Sequence, residues 1–409
     1  MVPDSALGTC GFPPGPARAR RLTCALRGRM VLLLALALVV GTAGCDGAPT
    51  SQNPRSESAG GDSLLPNVLV EATGTVAVRH QGGSTFIPIG FGARLLADDL
   101  LNISGGSAAA FCGDESQWES SPKTLRSGKN RSIPCLRGRT ATPAPDVARL
   151  RLRGEPGSRP TDLPYALSPR TGFVLSDRPT LRWHAISDAT AVTITLDSND
   201  GLVRPAKLVL GAELVYPDDW PPLQRNGADY ALRVQPPTAL SATLSAPGSG
   251  FTALDGERKA RVQALSARLR ERPLSDAARS LLLAELYLHY DERYPLRSEA
   301  AELLRNVPDG EQIRAIQQLL GEVNLQMGLF AEAEQPLQHA LALATEAGEA
   351  ESEADARLHL GAAACLRGDQ AQATAYWQAA QAKYTTLSLP TMAEQAAARL
   401  KSAASDCAR

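Results

Sequence analysis

The sequence predicts a multidomain α+β protein in which two all-β modules precede an all-α half. Short runs rich in Val, Ile, Thr and aromatic residues, separated by glycine-bearing turns, occupy residues 67–254. From residue 255 onward Ala, Leu, Glu, Gln and Arg dominate, and small residues recur at a fixed interval. The length of 409 residues and the hydrophobic content of 44% allow several packed cores.

Residues 1–44 have the composition of an export signal. Arginines precede the apolar run 30–40, which is too short to span a bilayer, and small residues then lead to Cys45. The segment Thr42 to Cys45 resembles a bacterial lipoprotein processing box, which implies cleavage before Cys45 and lipid on that cysteine. Ordinary cleavage after a small residue, giving a soluble secreted protein, is the alternative. Residues 45–66 are rich in Ser, Gly, Pro and Asn and predict a disordered tether.

The charge of the chain excludes a general attraction to nucleic acid, because the formal net charge is -1. One local exception is a basic segment that contains a single acidic residue, Asp146. Its cations are Lys123, Arg126, Lys129, Arg131, Arg137, Arg139, Arg149, Arg151 and Arg153. This segment is either a solvated basic loop or a surface for an anionic polymer such as one of the cell wall.

The first β module is expected over residues 67–155. Residues 75–78 and 86–89 are β-prone runs joined by the glycine-bearing connection 80–84, which predicts a hairpin. Glycine, apolar and aspartate positions between Gly74 and Asp114 resemble the FecR-like domain, which implies a small β fold. Members of that family relay signals from an outer-membrane transporter to a sigma factor through a cytoplasmic helical segment, and residues 1–29 do not match that segment.

The cysteines predict one disulfide. Cys112 and Cys135 bound a polar, basic stretch of an exported β module, and disulfides persist outside the cytoplasm. Whether Cys365 and Cys407 pair is left open by the sequence. No C-x-x-C motif occurs and no histidine stands near Cys112 or Cys135, so a metal site is not expected.

The second β module is expected over residues 160–254. The runs 179–183, 192–196 and 230–234 alternate apolar and polar residues, as strands with one inward face do. Their arrangement resembles a fibronectin type III-like module, which implies a β-sandwich with Trp183 in its core. The run 251–254 predicts a closing strand, and Asp255 is placed to cap the first helix.

The all-α half, residues 255–409, contains two stretches that repeat each other at an interval of 40 positions. The matched small residues are Gly321, Gly328, Ala333 and Ala340, and then Gly361, Gly368, Ala373 and Ala380. They resemble the landmarks of the tetratricopeptide repeat, which implies stacked helical hairpins that approach closely at these positions. Ser275 predicts a helix start, and residues 391–404 predict a last, capping helix.

The resemblance to the tetratricopeptide repeat also implies a binding groove on the first helix of each hairpin. Carried over by position, its lining consists of Gln318, Glu322, Gln326, Asp355, Leu358 and Leu366, together with Ala315 and Ala362. This mixed, mildly acidic lining favours an extended or helical peptide as the partner. The alternative is that the repeats form a spacer or a self-association element.

No catalytic, cofactor-binding or metal-binding residues are predicted. The sequence lacks a nucleophile elbow, a phosphate loop and an H-E-x-x-H motif, and its five histidines fall in separate elements. We therefore expect a noncatalytic envelope protein, anchored by lipid on the extracytoplasmic side, that assembles proteins through its helical repeats. The alternative is a signal-transducing or cell-wall-polymer-binding lipoprotein that uses the FecR-like module. The sequence does not name the partner, the membrane leaflet or the oligomeric state.

Overall fold

A computed structural model describes residues 64–135, 164–185, 191–235 and 250–407. Within these ranges a β region precedes an all-helical region, so the predicted α+β order is confirmed. The export signal, Cys45 and residues 46–63 of the tether lie outside the described residues. No helix in the described ranges is both long enough and apolar enough to cross a membrane.

The first β module, described over residues 64–135, is one antiparallel sheet. Its strands are β1 (Asn67–Ala72), β2 (Thr75–Arg79), β3 (Ile87–Ile89), β4 (Arg94–Leu95), β5 (Leu100–Phe111) and β6 (Lys123–Ser132). The sequence suggested short strands only, whereas β5 has 12 residues. One half of β5 pairs with β2, with Val76 opposite Ile103, and the other half pairs with β1, with Leu69 opposite Ala110. β5 is therefore the strand that joins the module together.

Strand β6 corrects the reading of residues 123–132 as a solvated loop. These residues pair with β5 from Lys123 opposite Ala110 to Ser132 opposite Leu100. The physical reason is that a strand as long as β5 presents backbone N–H and C=O groups along both of its edges, and β6 satisfies those of one edge. The remaining basic residues of the segment, from residue 137 to residue 153, lie outside the described residues.

The second β module, described from residue 164 to Leu254 with gaps, contains two sheets. Its strands are β7 (Tyr165–Ser168), β8 (Gly172–Val174), β9 (Leu181–His184), β10 (Val192–Ser198), β11 (Lys207–Val209), β12 (Glu213–Leu214), β13 (Asp229–Gln235) and β14 (Gly250–Ala253). One sheet has the order β11-β10-β13-β14-β8 and the other β12-β9-β7. Residues from both sheets form one buried apolar cluster, which includes Trp183, Trp220 and Tyr230. Trp183 is therefore a core residue, as predicted.

The helical region consists of helices that follow one another with short connections. They are α1 (Gly256–Arg270), α2 (Asp276–His289), α3 (Arg297–Arg305), α4 (Arg314–Gln326), α5 (Phe330–Ala347), α6 (Ala350–Arg367), α7 (Gln370–Thr386) and α8 (Pro390–Cys407). Both expected caps are present: the Asp255 carboxylate accepts a hydrogen bond from the Arg258 amide, and the Ser275 hydroxyl accepts one from the Ala278 amide.

The repeated small residues mark the places where paired helices touch. An added Cβ at Gly321 would lie 2.4 Å from Leu337, and one at Gly361 would lie 2.4 Å from the indole nitrogen of Trp377. Ala333 and Ala373, on the facing helices, are fully buried. The interval of 40 positions therefore records two hairpins, α4 with α5 and α6 with α7, that pack closely at equivalent points.

Two disulfides are present in the described residues. The sulfurs of Cys112 and Cys135 lie 2.07 Å apart, which joins the end of β5 to the residue three positions after β6. Cys365 and Cys407, whose pairing the sequence left open, also form a disulfide that ties the end of α8 to α6. By the chain-entropy estimate, loops of these sizes stabilise the folded chain by about 3 to 4 kcal/mol each.

The first β module and the helical region share an apolar core. Leu65, Phe111 and Trp118 from the module belong to the same buried cluster as Leu282 and Val323 from the helices. On the other face of the sheet, Leu387 and Leu389 from the connection between α7 and α8 pack against the module's second apolar cluster. The module is thus held between early and late helices, and residues 60–409 form one compact unit.

We expect Gly361→Ala to lower the free energy of unfolding by about 1 to 3 kcal/mol. Its methyl group would overlap the indole of Trp377, which cannot retreat because its nitrogen donates a hydrogen bond to the Leu358 carbonyl over 3.1 Å. The control is Gly256→Ala, in α1, where an added Cβ meets nothing within 4 Å. Alanine is the better helix former, so the control should leave stability unchanged or raised. Equal effects in urea unfolding monitored by circular dichroism would contradict this assignment.

Candidate functional site

The first helices of the hairpins present one common face, here called the inner face. It carries Glu285 on α2, Gln318 and Glu322 on α4, and Asp355 on α6. Neighbouring helices are linked across this face, since the Gln318 amide lies 2.8 Å from Glu322 and 3.1 Å from the imidazole of His359 on α6. Four of its groups carry carboxylates or amides, so the inner face suits a cationic or hydrogen-bonding ligand.

The inner face is occupied by a loop of the first β module. Gly90 and Gly92 flank Phe91 directly after β3, and both glycines lie against helices. An added Cβ at Gly92 would lie 2.1 Å from the Cβ of Ala315, and one at Gly90 would lie 2.1 Å from the carboxylate of Glu349. Gly92 also has a φ of +78°, which strongly favours glycine. The backbone of the loop therefore lies closer to the helices than it could if these positions carried side chains.

An arginine of strand β4, which follows this loop, neutralises the acidic inner face. The guanidinium of Arg94 lies 2.7 Å from Glu285 and 3.9 Å from Glu322. Burial by itself raises the pKa of Glu285, but the charge of Arg94 and a contact with His289 outweigh that effect and lower the pKa to about 2. Glu285 therefore remains a carboxylate, and the attraction to Glu285 in turn raises the pKa of Arg94 further.

Two further polar contacts fix the position of the loop. Arg314 of α4 donates a hydrogen bond to the Phe91 carbonyl over 2.9 Å, and the same guanidinium lies 2.8 Å from Glu349. His80, at the end of β2, lies 2.8 Å from Asp99 of its own module and 3.0 Å from Glu351 of α6. The imidazole thus connects the module to the helices.

The charge of His80 depends on these two carboxylates. Burial lowers the pKa of the imidazole, but hydrogen bonds to Asp99 and Glu351 outweigh this and raise the pKa to about 10. His80 is therefore a cation at neutral pH. Together with Arg94 it gives the module two positive groups that meet the acidic helices.

The residues expected to line the groove fall into two sets. Gln318 and Glu322 lie on the inner face beside Arg94, whereas Gln326 bonds to Arg297 over 3.3 Å. Asp355 is partly buried, and its carboxylate accepts a hydrogen bond from Tyr384. Burial, with the nearby charge of Glu351, raises the pKa of Asp355 to about 6.

Leu358 and Leu366 correct that expectation, because both lie in the apolar core of the last helices rather than on an accessible surface. Helix α6 packs against α5, α7 and α8, which leaves it few open faces. The assignment of groove residues by their position in the repeat family is therefore wrong for these two residues of α6. The two leucines stabilise the stack and contact no ligand surface.

The chemistry of the inner face is that of a protein–protein contact. The opposite charges beside Glu285, Arg94 and His80 shift the pKa of each group toward its charged form. Burial raises the pKa of Asp355. No cluster of three His, Cys, Asp or Glu side chains in the described ranges has the geometry to hold a metal ion.

Sequence reasoning missed the residues that occupy the inner face, namely His80, Gly90 and Arg94. One signal was available, since two glycines around a phenylalanine directly after a β-prone run indicate a close backbone approach. The two glycines do not indicate which residues they approach. Their contacts are Ala315 and Glu349, which are more than 200 residues away in the chain.

Comparison with known proteins found no match: no protein-family model, no curated protein and no solved structure is similar to the chain. The FecR-like, fibronectin type III-like and tetratricopeptide-like identifications therefore stay predictions from sequence. What the structure supplies is the contact between the first β module and the inner face.

The bridging role of His80 predicts a specific pH dependence of stability. Its pKa is raised on folding, so its contribution is fully present below about pH 6.5 and is lost as the pH rises through about 10. Between about pH 7 and about pH 10 the free energy of unfolding should fall more steeply for the wild type than for His80→Gln. Urea unfolding at a series of pH values measures the difference.

The control for this experiment is His339→Gln, because His339 makes no hydrogen bond or ion pair in the described part of the chain and lies on α5. Its pH profile should run parallel to that of the wild type. Parallel profiles for His80→Gln and the wild type would show that the imidazole does not bridge the two regions.

Proposed function

We propose that the chain is a noncatalytic, lipid-anchored envelope protein that acts as a protein-interaction scaffold. The observation that carries the proposal is that the inner face of the helical region binds a folded protein module, the first β module of the same chain. Recognition uses shape, through the Gly90 to Gly92 loop, and charge, through Arg94 and His80. These are the means by which proteins bind proteins rather than transform substrates.

Because this contact fills the inner face within the chain, other proteins must use surfaces that the assembled body leaves exposed. Within the described ranges, the exposed large apolar side chains are concentrated in residues 202–215, here called the apolar segment. Its exposed side chains are Leu202 (40%), Val203 (84%), Leu208 (69%), Leu210 (66%) and Val215 (73%). A group of exposed aliphatic side chains within one short segment is typical of a protein-docking surface.

The position of the apolar segment favours a protein strand as its partner. It contains β11 and β12, which are terminal strands of the two sheets within the described residues. Lys207 of β11, which could otherwise repel an incoming strand, is held by Asp219 at 2.6 Å. A terminal strand with apolar outward side chains suits an apolar extended segment that pairs along its edge.

The charges near the apolar segment argue against an anionic membrane surface as the partner. Glu213, Asp218 and Asp219 are all well exposed beside it. Each of them is paired with a cation, Asp218 with Arg178, Glu213 with Arg182 and Asp219 with Lys207, so these pairs leave no surplus of positive charge to attract acidic lipid headgroups. A protein partner that presents an apolar strand therefore fits the surface better.

The lipid anchor predicts that cells incorporate labelled fatty acid into the wild-type chain and not into Cys45→Ala. The matched control is Cys24→Ala, which removes a cysteine from the segment that cleavage would discard. It should label as strongly as the wild type. Equal labelling of Cys45→Ala, or equal retention in the membrane without any label, would refute lipidation of Cys45.

The scaffold predicts that crosslinking in intact cells captures a defined protein, identified by mass spectrometry. The variant Val203→Ser/Leu208→Ser/Leu210→Ser should reduce capture at least about tenfold. A few side chains at the centre of an interface carry much of its binding energy. Its thermal unfolding should be unchanged, since these side chains are exposed.

The matched control carries three substitutions at exposed alanines of α5, Ala331→Ser/Ala342→Ser/Ala347→Ser. It should capture the partner as the wild type does. Loss of capture in this control alone would move the docking surface to the helical repeats. Absence of any captured protein with the wild type would argue against a scaffold.

A further inference from the structure

A row of positive charge runs along the edge of the first β module. Strand β6 carries Lys123, Arg126, Lys129 and Arg131 within ten residues and contains no acidic residue. The first three form no ion pair within the part of the chain that the structure describes. Every recorded pairing of β6 is with β5, so its other edge has no strand neighbour among the described residues.

Three of the six acidic residues in the described part of the module are paired with cations other than those of this row. Glu115 and Glu119 pair with Arg268 of α1, and Asp99 pairs with His80. The helices thus neutralise Glu115 and Glu119, and an imidazole of the module itself neutralises Asp99. The cations of β6 therefore concentrate positive charge along this edge of the sheet.

A fifth cation, on another strand of the same sheet, extends the row. Arg79, at the end of β2, donates a hydrogen bond to the side-chain oxygen of Asn130 over 3.4 Å. Its guanidinium also lies 5.0 Å from the centre of the Phe86 ring, which holds the group in place. Arg79 and β6 together are here called the basic edge.

The length of the basic edge selects the shape of its ligand. A strand rises about 3.3 Å per residue, so Lys123 and Arg131 are separated by at most about 27 Å. A single small anion can meet only one or two of the cations at a time. The side chains of Lys123 and Arg126 point to opposite faces of β6, so an extended polyanion has to follow the free edge of the strand to contact cations of both faces. Each additional contact adds to the affinity.

The composition of the basic edge selects the chemistry of its ligand. The sequence of β6 contains no aromatic residue on which a neutral sugar could stack, so charge must supply the recognition. Arginine forks bind phosphate through two parallel hydrogen bonds, and lysine is a common phosphate partner. We propose that the basic edge binds an extended phosphate-bearing polymer of the cell envelope.

A simpler use of the same charges is protection of the sheet edge. Lysine and other charged side chains on edge strands prevent pairing with strands of other molecules. That role requires only repulsion and gives the chain no affinity for a polyanion. Direct binding measurements separate the two roles.

The experiment titrates the purified full-length chain with fluorescently labelled long-chain polyphosphate at about 0.1 M salt. Binding should weaken steeply as salt is added, because each phosphate contact releases counterions. The variant Lys123→Glu/Arg126→Glu/Lys129→Glu should bind at least about tenfold more weakly. The variant Lys123→Gln/Arg126→Gln/Lys129→Gln serves if the first fails to fold, as judged by circular dichroism.

The matched control is Lys259→Glu/Arg261→Glu/Lys401→Glu, which changes the net charge by the same amount. These three cations lie on α1 and α8 and form no ion pair within the described ranges. This variant should bind polyphosphate within about twofold of the wild type. An equal loss in both variants would show that binding follows net charge, and would overturn the proposal.

Two competitor ligands test the choice of ligand. Orthophosphate at equal phosphate concentration should compete poorly, because it lacks linked charges. Polyglutamate of similar charge should compete more weakly than polyphosphate, and equal competition would overturn the preference for phosphate. No binding of polyphosphate by the wild type would leave β6 as a protected edge only. Partner capture through the apolar segment is measured separately, so failure here does not affect the proposed scaffold.

Discussion

The arrangement of the whole chain depends on one close approach, that of the Gly90 to Gly92 loop to the inner face. A side chain at Gly92 would collide with Ala315 and would also strain a backbone that has a positive φ. Because both glycines lack a Cβ, the Phe91 carbonyl comes within reach of Arg314. The polar contacts of Arg94 and His80 and the shared apolar core are all consequences of that distance.

Charge and apolar burial have different roles in this contact. Partly buried ion pairs such as that between Arg94 and Glu285 carry a desolvation penalty and contribute little net stability, but they disfavour other orientations of the module. The apolar cluster that includes Phe111 and Trp118 provides the favourable free energy. The position of the module is therefore selected by charges and maintained by burial.

Local patterns in the sequence predicted the elements that local forces determine. Alternation predicted β10 and β13, cap residues predicted the starts of α1 and α2, and the interval of 40 positions predicted two equivalent hairpins. Strand β6 was missed because its polar, basic residues carry no alternation, and it forms a strand only because β5 offers it an edge. The burial of Leu358 and Leu366 was missed because it depends on how α8 closes the stack.

The candidate site was the least predictable part of the molecule. The inner face could be placed from Gln318 and Glu322, but its occupant could not be identified. Recognition between Arg94 and Glu285 spans 191 residues of the chain, and no pattern within a short window records such a match. The repeat family suggests a free groove, whereas this chain uses its own module to fill that position.

The core shared by Leu65, Trp118 and Val323 has a consequence for the order in which the chain acquires structure during synthesis. Domains at the amino terminus usually fold first, while the rest of the chain is still being made. Here part of the apolar lining of the first β module is supplied by the helical region much later in the chain, through Leu282, Val323 and Leu389. The nascent chain must therefore keep an incomplete sheet free of wrong partners until its own last helices arrive to cover it.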